Sequence, residues 1–508
     1  MNGPNYSHIG WLIALGLLGG ACGGAVAPTP PTEFSCPESP RDSTLTEWMD
    51  VPAFVNCVVI LSGFSEQDIN DVAGAMNLKP AGPDNTDLGL EVQTPSDGTF
   101  YIELFRFDAT LGTMQEAIQA IHQKAGDKDL VVFADADYLV GAPWPVEGSP
   151  SGPSGDLTDV DQYWNQWAFS QASITPSIRG SANPASVVIL DTSPLDGPSS
   201  PIDPPTLYSL SALGDLSVPT LGDITKFAQG GGTHQQHGVA VAGLVRAASP
   251  ASTLYLVRVL DGEARGDMLS LLSGLAWVIN NRSDPNLTNL GLNLSQVVIN
   301  MSLGFRPENA SGAFVLPLDT EASQFLATRL SDPSCLEPDT TNQNATVPVM
   351  ALCYLLDVTT DQGAVLVAAA GNGSAKFASP LGMNAPARWG DVIGVAASNT
   401  SGDLSCYSNQ GEVSAPGGEF LDANGSCAPS CTGDSCIVVP QVEKDAGGHL
   451  LTVYRFWVGS SFAAPIVSGM VACLLESGYT GPEATARILS LFGGSVVDFA
   501  SLPVVCFP

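Results

Sequence analysis

Positive charge is the scarcest commodity in this sequence: 18 Lys and Arg stand against 51 Asp and Glu, for a formal net charge of −33 over 508 residues. A surface that acidic repels phosphate backbones, which excludes nucleic-acid binding as a main function. Charge of either sign is limited to 14% of the residues, whereas 44% are hydrophobic. That balance excludes a disordered chain and leaves ample material for a core. Histidine occurs only five times, so candidates for a general base near neutral pH are few. No internal repeat and no complete EF-hand loop is present. Carboxylate-rich loops leave structural Ca²⁺ open as a ligand, with no site legible, and the chemistry read below requires no cofactor.

What is present begins with an uncharged stretch from Ile9 to Ala27, rich in Leu, Ala and Gly, which marks residues 1–27 as a targeting segment for export. Leu17-Leu18-Gly19-Gly20-Ala21-Cys22 resembles a bacterial lipoprotein box, with Cys22 as the lipidated residue and a membrane attachment. An ordinary cleavage site at Ala25-Val26-Ala27 and an uncleaved anchor are the alternatives. Eleven cysteines suit an oxidising compartment, and setting Cys22 aside leaves an even number. Cys335, Cys353, Cys427, Cys431, Cys436 and Cys506 sit in or beside long loops or the terminus and are expected to form disulfides. For the crowded trio Cys427, Cys431 and Cys436 a zinc site is the rival reading.

Length suggests two folded units. Residues 28–51 open on Pro28-Thr29-Pro30-Pro31 and read as an extended spacer. Residues 52–140 give strands at Val55–Leu61, Gly89–Gln93, Phe100–Phe107 and Leu130–Phe133, with helices at Ser65–Met76 and Thr113–Lys124. That β-α-β-β-α-β order is the ferredoxin-like α+β arrangement. Residues 141–160 are rich in Gly, Pro and Ser and read as an exposed linker with a processing site. From 161 to 508, apolar strands alternate with helical patterns, which predicts an α/β domain with a mostly parallel central sheet flanked by helices. Residues 305–362 and 418–452 are too long and polar for core connections and read as loop insertions.

Four segments carry chemistry. Ser461, in Gly459-Ser460-Ser461-Phe462-Ala463-Ala464-Pro465, opens an apolar helix, where its own amide N–H is available to an oxyanion. Pro465 reads as part of the first helical turn, where its missing N–H costs little. His237, in His237-Gly238-Val239-Ala240-Val241-Ala242-Gly243, opens another helix and has the one side chain able to take a serine proton near pH 7 and return it. His234, three residues earlier, raises a metal pair as a weaker alternative. Asp191 closes the buried strand Val187–Leu190, where a carboxylate would orient the imidazole. Asn372, in Ala369-Ala370-Gly371-Asn372, follows another strand and offers a carboxamide donor. Singly, each segment has an ordinary structural explanation: an N-cap, a core histidine, a turn former, a turn. Their co-occurrence in the order Asp, His, Asn, Ser is what points to acyl transfer.

In that order and those segments the chain resembles the subtilisin-like serine protease family. Ile299-Asn300-Met301-Ser302-Leu303-Gly304 is similar to the family's substrate-binding strand, Tyr407-Ser408-Asn409 and Ala415-Pro416-Gly417 also match, and residues 52–140 resemble an inhibitor I9-like propeptide closing on Asp135–Val140. The resemblance implies a serine endopeptidase that works through an acyl-enzyme. Asp191, His237 and Ser461 would be the triad and Asn372 the oxyanion donor. Ser302, Leu303, Gly304, Ala369, Ala370 and Gly371 would bind substrate. It implies peptide or protein substrates, the chain's own propeptide as intramolecular inhibitor, self-processing, and a monomer outside the cell or at its outer surface. A weakened or inactive scaffold used for surface binding is the alternative. Ser193, Val239 and Ser460 depart from the family's usual Gly, Thr and Thr, and none removes a group that the chemistry needs.

Overall fold

The computed structural model describes residues 54–81, 88–142, 163–175, 183–193, 206–210, 214–218, 234–283, 291–306, 328, 330, 349–376, 379–419, 421, 427, 435–444, 450–504 and 506. All belong to one compact unit, Cys36–Pro508. The targeting segment with Cys22, the spacer, and most of the linker lie outside the described residues.

The chain opens on β1 (Phe54–Gly63), α1 (Glu66–Ala75), the short β2 (Lys79–Pro80), β3 (Gly89–Thr94), β4 (Gly98–Arg106), α2 (Met114–Gly126) and β5 (Val132–Gly141). Apart from β2, this is the expected β-α-β-β-α-β order. Local signals start the helices: Ser65 Oγ accepts from Asp68 N, and Thr113 and Glu116 form a reciprocal capping box at α2. β1 pairs antiparallel with both β4 and β5. Strand β5 is longer than expected, and every residue of it except Gly141 is buried. Both its faces are therefore covered.

The larger architecture follows β6 (Ser186–Asp191), β7 (Thr206–Leu210), β8 (Gly214–Val218), α4 (His237–Ala248), β9 (Thr253–Arg258), β10 (Arg265–Asp267), α5 (Met268–Asn280), β11 (Val297–Met301), α6 (Met350–Asp361), β12 (Val365–Ala369), β13 (Val392–Ser398), β14 (Val413–Pro416), the hairpin β15 (Ile437–Lys444) and β16 (Leu450–Trp457), α7 (Ser460–Glu476) and α8 (Gly481–Phe492); the short α3 (Trp167–Ala172) precedes β6. Among the described residues, the main sheet has the order β14-β13-β12-β11-β6-β9-β8-β7, parallel except for the β7–β8 pair. Strands β6, β11 and β12 are buried along most or all of their length, as the continuous apolar runs Val187–Leu190 and Val365–Ala369 require. The expected α/β fold with a mostly parallel sheet is the one observed.

Both expected insertions hold regular structure in part. Helix α6 lies inside 305–362, with Met350–Thr359 all buried, and 418–452 contains β15 and the start of β16, whose residues Ile437–Val439 are core. Their apolar runs outweigh the polar composition around them. Of the cysteine expectations, Cys427 bonds to Cys406 and Cys506 to Cys473, Cys353 and Cys436 are disulfide-bonded, as is Cys57, and Cys335 and Cys431 lie outside the described residues. The zinc reading of the trio falls with the Cys406–Cys427 bond. No described helix is long and apolar enough to cross a membrane.

The α+β module and the larger sheet share one hydrophobic core, in which Phe100 packs 4.4 Å from Tyr354 of α6, ring centre to ring centre. Two carboxylates on β5 fix the contact. Asp135 accepts from Met350 N (2.9 Å) and Ala351 N (3.2 Å) at the start of α6, and Asp137 accepts from Leu269 N (3.3 Å) at the start of α5. Positions two apart share one face of a strand, so both side chains meet helix N-termini, where unsatisfied N–H groups attract an anion. Burial nevertheless pushes the Asp135 carboxyl up to about 7, against the lowering effect of the two N–H donors. A raised folded pKa means that its contribution to stability is full below about pH 4 and is lost as pH rises through about 7. Thermal unfolding of the uncut chain should show that loss between pH 4 and 8, and Asp135→Asn should flatten it.

Candidate active site

Strand β6 lies between β11 and β9, and its last residue, Asp191, is wholly buried at the carboxyl end of the sheet. Asp191 Oδ1 is 2.8 Å from His237 Nδ1 and also accepts from Thr192 N at 2.7 Å. With Nδ1–H committed to the carboxylate, Nε2 is left as the basic nitrogen. Thr192 ties the strand end to the helix start: its hydroxyl accepts from Gly238 N (2.9 Å) and donates to Gln235 O (3.1 Å). The His237 ring lies 5.1 Å from Phe462 and 6.0 Å from Trp457, which fixes its plane from the side of α7. Ser461 Oγ makes no hydrogen bond to that ring among the described residues. Unliganded catalytic pairs are often loose and tighten only around substrate.

Ser461 is the second residue of α7, and Pro465 stands in the second turn, later than the sequence reading placed it. A proline at that position has no N–H for the carbonyl four residues back, which is that of Ser461. The Ser302 hydroxyl fills the vacancy, donating to Ser461 O at 2.7 Å. Ser302 Oγ in turn accepts from Asn300 Nδ2 (2.9 Å), and Asn300 Oδ1 accepts from Ser468 Oγ (2.9 Å). This buried chain pins the end of β11 to the helix bearing the nucleophile. Asn300, Ser302 and Ser461 were in the quoted motifs and Ser468 was not, and nothing in the sequence pattern reveals the side-chain roles.

Asn372 is held from the same side. Its Oδ1 accepts from Ser460 N at 3.0 Å, so its Nδ2 is the end turned elsewhere, and Ser460 Oγ accepts from Gly371 N at 3.1 Å. Gly459, with φ +151°, allows them to come close: a methyl group placed on it would lie only 3.0 Å from Ser461 Oγ and 3.2 Å from Asn372 Nδ2, too near for a side chain. Ser461 Oγ and Asn372 Nδ2 thus both lie beside the Gly459 backbone, an arrangement from which an amide N–H₂ could donate to an oxyanion. Behind it stands Asn409, whose Oδ1 accepts from Gly373 N (3.1 Å) and Ser374 Oγ (2.9 Å) and whose Nδ2 donates to Ala370 O (3.1 Å). It holds the loop that carries Asn372.

The remaining sequence candidates divide. Leu303 and Ala369 are wholly buried in the core, so only their backbone can serve a substrate. Ala370 O accepts from Asn384 N as well as from Asn409. Gly304 exchanges two backbone hydrogen bonds with Gly141, Gly141 N to Gly304 O at 3.1 Å and Gly304 N to Gly141 O at 2.8 Å, while Leu139–Gly141 pairs with β10 on the other side. The end of β5 therefore lies as an added strand between β10 and Gly304. His234 is paired with Glu263 (Nδ1 to Oε2, 3.5 Å), and burial pushes its pKa down to about 4. No group of three or more His, Cys, Asp or Glu residues is placed to hold a metal among the described residues.

Replacing Asn409 by Leu would strip partners from several buried polar groups. A loss of about 1–3 kcal/mol is expected, read from the denaturant midpoint of the Ser461→Ala chain.

The sequence model of the subtilase family, peptidase S8, matches residues 224–489, more than half of the chain. The minor extracellular protease Epr of Bacillus subtilis (strain 168) is 27% identical over 273 residues, covering 52% of this chain and 32% of that protein. Subtilisin of Bacillus pumilus is 26% identical over 264 residues, covering 49% of this chain and 67% of that protein. The chain spans about half the length, or less, of the first curated relatives it matches. Among solved structures, fervidolysin of Fervidobacterium pennivorans superposes with a TM-score of 0.50 at 14% identity, over 88% of this chain and 60% of that one. At that identity the superposition concerns the fold. By the family match over residues 224–489, the chain belongs to the subtilase family.

Proposed function

We propose that the protein is a serine endopeptidase that hydrolyses peptide bonds through an acyl-enzyme. The observation that carries this reading is the 2.8 Å Asp191–His237 bond together with the placement of Ser461 Oγ and Asn372 Nδ2 side by side at Gly459. Ser461 Oγ attacks the carbonyl carbon and its proton passes to His237 Nε2. The imidazolium that forms is stabilised by Asp191, and the oxyanion is held by Asn372 Nδ2 and the Ser461 amide. The tetrahedral adduct collapses as His237 returns the proton to the leaving amine. Water then repeats the sequence on the acyl-enzyme. The membership in a peptidase family supports the same reading.

The chain is further proposed to be a self-processing precursor. Pairing of Gly141 with Gly304 and of Leu139–Gly141 with β10 supports residues 52–140 as an intramolecular inhibitor whose tail lies along the cleft. Cleavage would fall between Val140 and Gln162. An organophosphonate serine probe should label Ser461, an outcome that separates the enzyme from an inactive binding scaffold. Ser461→Ala should leave an uncut precursor on gels, and Asn372→Leu should process about 10²–10³ times more slowly, since one oxyanion donor is lost. Trimming of Ser461→Ala at the wild-type rate, with no other protease present, would refute self-processing.

Export is proposed from the Ile9–Ala27 segment, in keeping with a relative named as extracellular. Attachment through Cys22 is the finer proposal. It needs more than one acyl chain, because a single chain anchors only marginally. Mass spectrometry of native protein should find a lipidated N-terminal Cys22, and a soluble form starting at Pro28 would contradict it.

A further inference from the structure

The segment Asn384–Ala385 bridges the two walls that the substrate-binding reading assigns to the cleft. Asn384 N donates to Ala370 O (2.9 Å), while Ala385 exchanges two backbone hydrogen bonds with Phe305, at 2.9 and 3.1 Å. The Asn384 side chain lies between Gly304 and Gly371: a methyl on Gly304 would stand 3.8 Å from its Nδ2, and one on Gly371 would stand 2.6 Å from the same atom. Its amide is oriented from behind, because Oδ1 accepts from Arg306 Nε (3.2 Å) and from Asn409 Nδ2 (3.3 Å). Asn384 is 3% exposed, and its Nδ2 donates no hydrogen bond among the described residues. Nδ2 is not among the fully enclosed polar atoms that lack a partner, so this N–H₂ end stays open to an incoming acceptor. Gly371 immediately precedes Asn372, so the side chain that reaches this floor belongs to the substrate residue whose carbonyl Ser461 attacks.

We propose that Asn384, backed by Arg306, selects substrates with a carboxylate on the residue that contributes the attacked carbonyl, glutamate or aspartate. The inference rests on the peptidase reading above and specifies its substrate class. A guanidinium bonded to Oδ1 polarises the amide and makes Nδ2 the stronger donor. Arg388 adds to the same potential: its backbone N–H donates to Asn384 O (3.1 Å), and its own pKa is lowered by burial and by the neighbouring Arg306 charge. A slot of this kind rejects an aromatic side chain, which leaves the donor unpaired, and repels lysine outright. The stretch 143–162, in which self-cleavage is expected, carries Glu147, Asp156, Asp159 and Asp161 and neither lysine nor arginine.

The test uses the self-processed protein obtained from the full chain, and synthetic peptides that differ only at that residue: Glu, Gln, Phe or Lys. The expected order of kcat/KM is Glu, then Gln, then Phe and Lys, with Glu about 10- to 100-fold above Phe. Asn384→Asp keeps the shape but removes both N–H donors and should abolish the Glu preference, with Lys gaining. Arg306→Met should lower the Glu-to-Gln ratio while leaving Gln against Phe nearly unchanged. Phosphonate labelling of Ser461 in each variant confirms an intact site, and Arg306→Met serves alone if Asn384→Asp does not fold. Hydrolysis led by Phe or Lys in the wild type, or a ranking that neither variant alters, overturns the inference and leaves the peptidase reading standing. Absence of both hydrolysis and labelling in the wild type overturns the two together.

Discussion

A proline in a helix removes one hydrogen bond, and the way this protein replaces that bond organises its centre. Pro465 leaves the Ser461 carbonyl without its intrahelical donor, and the Ser302 hydroxyl supplies one at 2.7 Å. The replacement comes from the end of β11, so the helix that carries the nucleophile is pinned to the strand whose continuation reaches Gly304. Asn300 and Ser468 extend the link about two turns further along α7. Because every partner is buried, each bond is shielded from competing water and loss of one leaves the next unsatisfied. Ser461 and the strand end that reaches Gly304 therefore keep one spacing.

Around that centre the same device recurs with carboxamides. Asn372 and Asn384 each have Oδ1 occupied by a fixed donor, Ser460 N in one case and Arg306 Nε in the other, so that the amide hydrogens face a defined place. Asn409 links the two, touching the loop of the first and the side chain of the second. Orientation set in advance is what makes such donors effective, since no reorganisation is then needed as charge develops.

The docking of the α+β module uses cruder but larger forces. Its sheet shares a continuous hydrophobic core with α5 and α6, and Asp135 and Asp137 meet the free N–H groups of both helices. These contacts hold β5 at a fixed height, and the antiparallel bonds of Gly141 to Gly304 follow from it. The burial that stabilises the interface also desolvates Asp135, so the same residue that registers the strand is sensitive to proton concentration.

Local pattern made much of this legible. Alternating and continuous apolar runs placed most strands beside the site, helical periodicity placed the helices beginning near Ser65 and Thr113, and the segments around Asp191, His237, Asn372 and Ser461 named residues of which Asp191 and His237 are in contact and Asn372 and Ser461 both lie beside Gly459. Polar composition misled at 305–362 and 418–452, where the apolar stretches Met350–Val358 and Ile437–Val439 form buried structure within polar surroundings. Pro465 was read one turn too early, because helix boundaries depend on cap geometry that a residue string does not fix. By itself, then, the sequence determined most of the elements around the site and which side chains could do chemistry, since periodicity and residue type are local properties. The tertiary structure alone decided that Cys427 bonds to Cys406, that Ser302 supports Ser461, and that Asn384 lies between Gly304 and Gly371. These pairings join residues far apart in the chain, and they arise only when packing of the whole core sets the distances between them.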